Sequence, residues 1–224
     1  MNPQNQNFQF GWIIIASVIA FSSGCRPVPK SNLAFEVSAL HAYDGSAVPD
    51  IGITLESRIV SDGVFNGNYE LLSEGSTDAS GTIVLDFPRS NALDYRITGN
   101  EDDWFERQML VNPDAFLGDE TQSIVLEMTP SAEITIRLVN SNPFDEMDAI
   151  QFRTLNVPGD YLTCSNAWGT YSGFDAVEER TCWIEADRFL AFTYRTMRNG
   201  EWFEFVVDSI YVPRGSELDF SLPW

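Results

Sequence analysis

The chain has 224 residues, of which 44% are hydrophobic, and it carries a formal net charge of −20. Such an acidic surface repels phosphate backbones and anionic lipid headgroups, which argues against nucleic-acid binding and against electrostatic docking on membranes. The hydrophobic content is enough for substantial cores. The length suits either one large sandwich or two domains of about a hundred residues each.

The N-terminal segment has the pattern of a targeting signal. Residues 11–21 are almost entirely apolar, which is the length of a signal-peptide h-region and too short to cross ~30 Å of hydrocarbon as a helix. Residues 1–7 contain no Lys or Arg, so only the terminal amine carries positive charge there. We interpret the segment as a signal peptide and not as a membrane span.

The segment ends in Phe21-Ser22-Ser23-Gly24-Cys25, which resembles the lipobox of bacterial lipoproteins. The resemblance implies that residues 1–24 are cleaved off and that Cys25 becomes the lipid-bearing first residue of the mature protein. The alternative is a secretory signal whose cleavage site happens to include a cysteine.

Residues 25–32 follow as a short extended tether, because two prolines interrupt any apolar periodicity. Arg26 stands where some lipoproteins carry the aspartate that retains them in the inner membrane, so the resemblance implies an outer-membrane location. We expect the lipid alone to make the membrane contact, since two or more acyl chains anchor a protein stably.

Period-two alternation recurs along the mature chain, whereas a sustained 3.6-residue period is scarcely present. One face of the first predicted strand carries Leu33, Phe35, Val37 and Ala39. Further alternating segments follow at 51–55, 69–74, 83–87, 95–98, 104–111 and 124–128. Seven short strands separated by turn signals predict a β-sandwich over residues 33–129.

The most characteristic part of this sandwich is the turn Thr77-Asp78-Ala79-Ser80-Gly81 before an alternating strand. Asp78 is expected to cap the turn, and Gly81 is expected to adopt a positive φ. The pattern resembles carboxypeptidase regulatory-like and transthyretin-like β-sandwiches. That resemblance implies an accessory module without catalytic residues.

The second half looks like a divergent copy of the first at an offset of about 99 residues. Tyr95-Arg96 is echoed by Tyr194-Arg195, and Trp104-Phe105-Glu106 is echoed by Trp202-Phe203-Glu204. We therefore predict an all-β chain of two tandem antiparallel β-sandwiches of the seven-stranded type, immunoglobulin-like or transthyretin-like, with the second at residues 131–224.

Two cysteines remain if Cys25 carries lipid. Cys164 and Cys182 form an even pair in a chain that the signal places outside the cytoplasm, where disulfides persist. We predict a bridge between them, and the alternative is two buried free thiols.

Two loops are rich in carboxylates, with Asp102 and Asp103 in the first and Asp145 and Asp148 in the second. Calcium binds six to eight oxygens of this kind, so these residues are candidate calcium ligands. Neither run has EF-hand spacing, and solvated acidic loops are more common than ion sites.

The glycine-containing loop 166–174 carries Trp168, Tyr171 and Phe174. Aromatic rings on such a support can form a flat platform for carbohydrate. The competing interpretation is a plug that closes the end of the second sandwich, because large aromatic side chains are usually buried. Exposure of the three rings together would favour the platform.

No sequence motif indicates catalysis. His41 is the only histidine and lies at the end of the first predicted strand, and nucleophile elbows, phosphate loops and zinc-protease motifs are missing from the sequence. We therefore expect no enzyme activity and no cofactor. The sequence favours a lipid-anchored, non-catalytic structural or interaction module for other envelope proteins, and the alternative is a lipoprotein that binds carbohydrate or calcium.

Overall fold

The computed structural model describes residues 32–61, 64–65, 67–116, 121–157 and 166–224. The predicted signal peptide, Cys25, the tether up to residue 31 and Cys164 lie outside the described residues. In the part of the chain that is described, none of the helices has the length and apolar character needed to cross a membrane.

The described residues of the first half form eight strands and one short 3-10 helix, Pro113–Phe116. The strands are β1 (Asn32–His41), β2 (Gly52–Ser61), β3 (Val64–Phe65), β4 (Glu70–Ser76), β5 (Thr82–Pro88), β6 (Ala92–Asn100), β7 (Arg107–Val111) and β8 (Thr121–Met128).

These strands form two sheets around one hydrophobic core. In one sheet β1 lies between β5, which is antiparallel to it, and β8, which is parallel to it. In the other sheet β2 pairs with β3, β4 and β6, and β7 pairs with β6. Phe35, Val37 and Ala39 are fully buried on the inner face of β1, as the alternation predicts. Full burial of an apolar side chain of this kind contributes about 1.5–3 kcal/mol, so this face is a main source of stability.

The second half contains eight further strands. They are β9 (Ser131–Val139), β10 (Ala149–Thr154), β11 (Gly169–Ser172), β12 (Val177–Glu185), β13 (Arg188–Arg198), β14 (Glu201–Trp202), β15 (Val206–Val212) and β16 (Glu217–Pro223).

The strand order of the second half corresponds to that of the first, except that the short strand β3 pairs with β2 whereas the short strand β14 pairs with β13. β9 lies between antiparallel β12 and parallel β16, as β1 lies between β5 and β8. β13 pairs with β10, β14 and β15, and β11 pairs with β10. A separate core includes Ile134, Ile136, Ile150, Phe152 and Phe192. The all-β fold class is confirmed. The sheets are not purely antiparallel as predicted, because β8 pairs with β1 and β16 pairs with β9 in parallel, and alternation within a strand carries no information on the direction of its partner. The division into tandem repeated domains stays a prediction.

One predicted strand begins later than expected. The sixth was predicted from Trp104, but β7 begins at Arg107. Trp104 instead forms an isolated β-bridge with Pro130, and the Phe105 N–H donates to the Thr129 carbonyl at 2.9 Å. The segment before β7 therefore pairs with the connection between the two halves.

The Asp78 turn has the local structure that its sequence predicts. Asp78 Oδ1 accepts hydrogen bonds from the backbone N–H groups of Ser80 at 2.9 Å and Thr82 at 3.0 Å. Hydrogen bonds from Ser80 and Thr82 lower the pKa of Asp78 to about 2. Gly81 has a φ of +72°, and a Cβ atom there would lie 2.9 Å from the Ala39 carbonyl oxygen.

Replacement of Gly81 tests this close approach. Gly45→Ala is the matched control, because Gly45 has a φ of +71° and open space around it. We expect Gly45→Ala to lower the free energy of unfolding by about 1–2 kcal/mol through its φ alone. Gly81→Ala should cost a further ~1–3 kcal/mol through overpacking against backbone. Urea unfolding measures both, and equal losses would contradict the packing argument.

Candidate interaction surface

The three aromatic residues predicted to act together do not share one face. Tyr171 lies within β11, packs against the second core and accepts a hydrogen bond from Arg180 at its hydroxyl. Trp168 precedes β11 and is 42% exposed, and Phe174 follows β11 and is 44% exposed. Successive side chains of a strand point to opposite faces, which separates Trp168 from Tyr171. The loop is therefore neither the predicted flat platform nor a complete plug.

Trp168 contacts residues from other elements instead. Its ring centroid lies 5.2 Å from that of Phe205, at an interplanar angle of 45°. The guanidinium carbon of Arg153, on β10, lies 4.6 Å from the Trp168 ring centroid. Phe205 stands directly before β15, so three segments distant in sequence meet at this indole.

The contacts continue along the sheet through Arg195 on β13. Its guanidinium carbon lies 4.6 Å from the Phe205 ring centroid and 4.5 Å from the Trp202 ring centroid. Arg153, Trp168, Phe205, Arg195 and Trp202 thus form a continuous row of stacked side chains, here called the arginine–aromatic ladder. Cation–π contacts of this kind contribute about 0.5–1 kcal/mol each where they are exposed.

The ladder lies on the outer face of the sheet that β10, β13 and β15 share. Ile150, Phe152 and Phe192 point into the core, so the alternation directs Arg153 and Arg195 outward. The cross-strand pairs Gln151–Arg195 and Thr193–Val207 lie on the same outer face.

Arg195 has a neutral cross-strand partner. Its Nε donates a hydrogen bond to Gln151 Oε1 at 2.8 Å. The equivalent arginine of the first half, Arg96, has Glu56 as its cross-strand partner and donates to that carboxylate at 2.8 Å. Arg96 also lies 3.8 Å from the Tyr69 ring centroid, so both halves stack an arginine on an aromatic ring. Only the first-half arginine of this pair is neutralised.

The whole ladder shares this absence of carboxylates. Five of the described arginines have a carboxylate oxygen within 4.0 Å: Arg58, Arg96, Arg137, Arg180 and Arg188. Within the described ranges Arg153 and Arg195 have none, and Arg153 Nε is buried without a hydrogen-bond partner. Arg89, Arg107, Arg198 and Arg214 also have none among the described residues, so what distinguishes Arg153 and Arg195 is their place in one row with exposed aromatic rings. The ladder is therefore a surface of exposed aromatic rings and half-buried arginines on an acidic protein.

Of the five ladder residues, only Trp168 was predicted from the sequence to belong to a site. Arg195 and Trp202 were recognised only as part of the internal repeat, and Arg153 and Phe205 carried no signal. The local cue was the run Trp202-Phe203-Glu204-Phe205, whose aromatic residues at 36%, 58% and 51% exposure exceed what one buried strand face explains.

The four candidate calcium ligands lie in two separate places. The Asp103 carbonyl accepts a hydrogen bond from Ser131 N at 2.8 Å, at the start of β9. Asp148 Oδ2 accepts one from Asn140 Nδ2 at 3.3 Å, directly after β9 ends. Nine strand residues span roughly 25–30 Å, so the two pairs cannot share one ion. Nowhere among the described residues do three or more His, Cys, Asp or Glu side chains converge on a metal-sized site.

The two acidic loops have different surroundings. Asp102 and Asp103 are exposed and line a groove of about 390 Å³ together with Phe105 and Trp183. Asp148 is fully buried and accepts a hydrogen bond from Phe144 N at 2.6 Å. Burial tends to raise the pKa of Asp148, but the hydrogen bonds from Phe144 and Asn140 outweigh it and hold the pKa below its usual range. Asp148 thus organises the β9–β10 loop.

Cys182 is 1% exposed and is disulfide-bonded. Cys164 lies outside the described residues, so the pairing of Cys164 with Cys182 stays a prediction.

The two halves meet at the end of β1. His41 is the last residue of β1, and its Nε2 lies 3.4 Å from Asp187 Oδ2. The Tyr43 hydroxyl donates to Glu185 Oε2 at 2.8 Å, and Arg188 pairs with the same carboxylate. Burial and the hydrogen bond to Glu185 raise the pKa of Tyr43 to about 12. These polar contacts join the first half to the turn between β12 and β13.

Comparisons with known proteins identify no family. No protein-family model matches the chain, and no curated protein matches it. Among solved structures, the Bacillus anthracis TIE protein shows 10% identity and a TM-score of 0.36, covering 86% of this chain and 34% of its own. The chain therefore spans about a third of the length of that protein.

Two pilin structures also match. The shaft pilin SpaA from Lactobacillus rhamnosus GG shows 10% identity and a TM-score of 0.34, with 85% of this chain and 96% of that chain covered. A Streptococcal ancillary pilin shows 14% identity and a TM-score of 0.34, with 88% and 62% covered. Similarity at this level carries no conclusion about function. The class that the fold and the surface define is an all-β protein with an exposed arginine–aromatic face.

Titration of Tyr43 tests the contact between the halves. We expect its ring carbon signal, in tyrosine-labelled protein, to titrate near pH 12 by carbon-13 NMR. Glu185→Gln should move the midpoint toward 10, because it removes the negative charge that disfavours ionisation of the phenol. Since the folded pKa is the higher one, the stabilisation is complete below pH 10 and lost as the pH rises through 12. Glu217→Gln removes the same charge elsewhere and serves as the control. A Tyr43 midpoint near 10 in the unaltered protein would contradict the contact.

Proposed function

We propose that the protein is a lipid-anchored envelope protein without a catalytic role that binds another protein through the arginine–aromatic ladder. The observation that carries the proposal is the exposed row of Trp168, Phe205 and Trp202, with Arg153 at one end and Arg195 between Phe205 and Trp202. Tryptophan and arginine are the residue types most enriched where binding energy concentrates in protein interfaces.

Carbohydrate binding is the second candidate, because two tryptophans are exposed on one side of a sheet. A sugar ring stacks on a free aromatic face. Trp168 already contacts Arg153 and Phe205, and Trp202 already contacts Arg195. These stacked contacts favour a protein partner over a saccharide.

The anchor part of the proposal rests on the residues before and at Cys25. We expect the protein from a bacterial host to lose residues 1–24, to gain acyl mass and to partition into membranes. Cys25→Ser should abolish the added mass and the partitioning. Intact-mass spectrometry and detergent phase partitioning measure both, and an unlipidated product from the unaltered sequence would refute the anchor.

The ladder part is tested by site-specific photo-crosslinking in the same host. A benzoylphenylalanine at Val207, which is 69% exposed beside the ladder, should crosslink to a discrete protein. The same group at Val84, 57% exposed in the first half, is the matched control and should give no such product.

Trp168→Ala combined with Phe205→Ala should abolish the Val207 crosslink, because it removes the centre of the ladder. Trp183→Ala, an indole of similar exposure on β12, should leave the crosslink intact. A glycan array that gives hits with the unaltered protein and none with Trp168→Ala would replace the protein partner with a saccharide. Identical crosslinks from Val207 and Val84 would refute the ladder as the binding surface.

A further inference from the structure

The ladder has a chemical preference that can be read from its charges. We infer that it binds a protein segment carrying aspartate or glutamate side chains next to apolar ones. This inference rests on the proposed function, and it goes further by naming the chemistry of the partner.

The first observation is the pair of arginines without a carboxylate. The planar guanidinium group presents a fork of donors that matches the two oxygens of a carboxylate. In the described part of the chain no acidic side chain lies within 4.0 Å of Arg153 or Arg195, although Glu201 and Glu204 are close to Trp202 in sequence. The Nη groups of both arginines therefore remain as donors for an acceptor from outside, since Arg153 Nε is buried and Arg195 Nε already donates to Gln151.

The second observation is internal to the chain. Glu56 neutralises Arg96 across the strand pair in the first half, and Gln151 occupies the corresponding cross-strand position beside Arg195. The amide still orients the guanidinium through one hydrogen bond at 2.8 Å, but it leaves the positive charge uncompensated. Of the two similar stacks, only the second can attract a carboxylate.

The aromatic rings of the ladder explain why the partner segment should also carry apolar side chains. Phe205 at 51% exposure and Trp168 at 42% exposure lie between the two guanidinium groups. An acidic segment with apolar residues beside its carboxylates would cover these rings while its oxygens reach the forks. Desolvation by the rings strengthens such a contact, because a charge-assisted hydrogen bond is worth more away from water.

The overall charge of −20 does not oppose this contact at physiological salt. The Debye length is then about 8 Å, so the charges of the distant carboxylates are screened and the local guanidinium groups dominate.

The decisive variant is Gln151→Glu. It supplies the carboxylate that Glu56 supplies to Arg96, so the fold already tolerates the pair, and it removes no aromatic ring. The corresponding control is Arg96→Gln in the first half, which alters the equivalent stack away from the ladder.

The experiment is a selection of a phage-displayed random dodecapeptide library on the detergent-solubilised full chain. Peptides selected on the unaltered protein should be enriched in Asp and Glu beside apolar residues, and Gln151→Glu should lose this enrichment. The most enriched synthetic peptide should bind Gln151→Glu and Arg195→Gln about tenfold more weakly, and Arg96→Gln with unchanged affinity, by fluorescence polarisation.

The outcomes separate this inference from the proposed function. Ladder-dependent peptides without acidic enrichment, lost with Trp168→Ala and Phe205→Ala but kept by Gln151→Glu, would overturn the charge preference and leave the binding surface standing. No ladder-dependent peptide at all would overturn both. Binding of polygalacturonate, lost in Gln151→Glu, without binding of acidic peptides would make the ligand an acidic saccharide and overturn the protein segment.

Discussion

The central position of β1 and β9 in their sheets is the constraint on which the rest of the structure depends. Each has a hydrogen-bonded strand on both sides, one antiparallel and one parallel, so its backbone groups are paired on both edges. The inner side chains of both strands are therefore buried in the cores, and Phe35 and Ile134 are fully buried. Because a one-residue slip would turn these side chains outward, the alternation fixes the register of the surrounding strands.

The five-stranded sheet of each half carries the arginine that stacks on an aromatic ring. Its outer faces have the same design, an arginine of β6 or β13 stacked on an aromatic ring and held by the neighbouring strand. The difference is one cross-strand partner, Glu56 in the first half and Gln151 in the second. Since a carboxylate and an amide of similar shape differ mainly in charge, the two halves keep similar stacks and expose different electrostatic surfaces.

The sequence predicted most strands of the first half, because buried core residues alternate with more exposed ones along most of their length. It predicted the Asp78 turn for the same reason, since both the capping carboxylate and the positive φ of Gly81 are local properties. It misplaced the start of β7, because the bridge between Trp104 and Pro130 depends on how the two halves meet. It grouped Trp168 with Tyr171 and Phe174, which are near in sequence, whereas the partners of Trp168 are Arg153 and Phe205 from other strands.

The sequence by itself determined the all-β class, the inward residues of the predicted strands and the acidic character of the surface. Periodicity is read from neighbouring residues and net charge from composition, so neither depends on how the chain folds. It also carries the prediction of a lipid anchor at Cys25. Only the tertiary structure decided which arginines are neutralised, because a salt bridge depends on cross-strand register. Gln151 and Arg195 are 44 residues apart in the chain and become neighbours only when β10 pairs with β13.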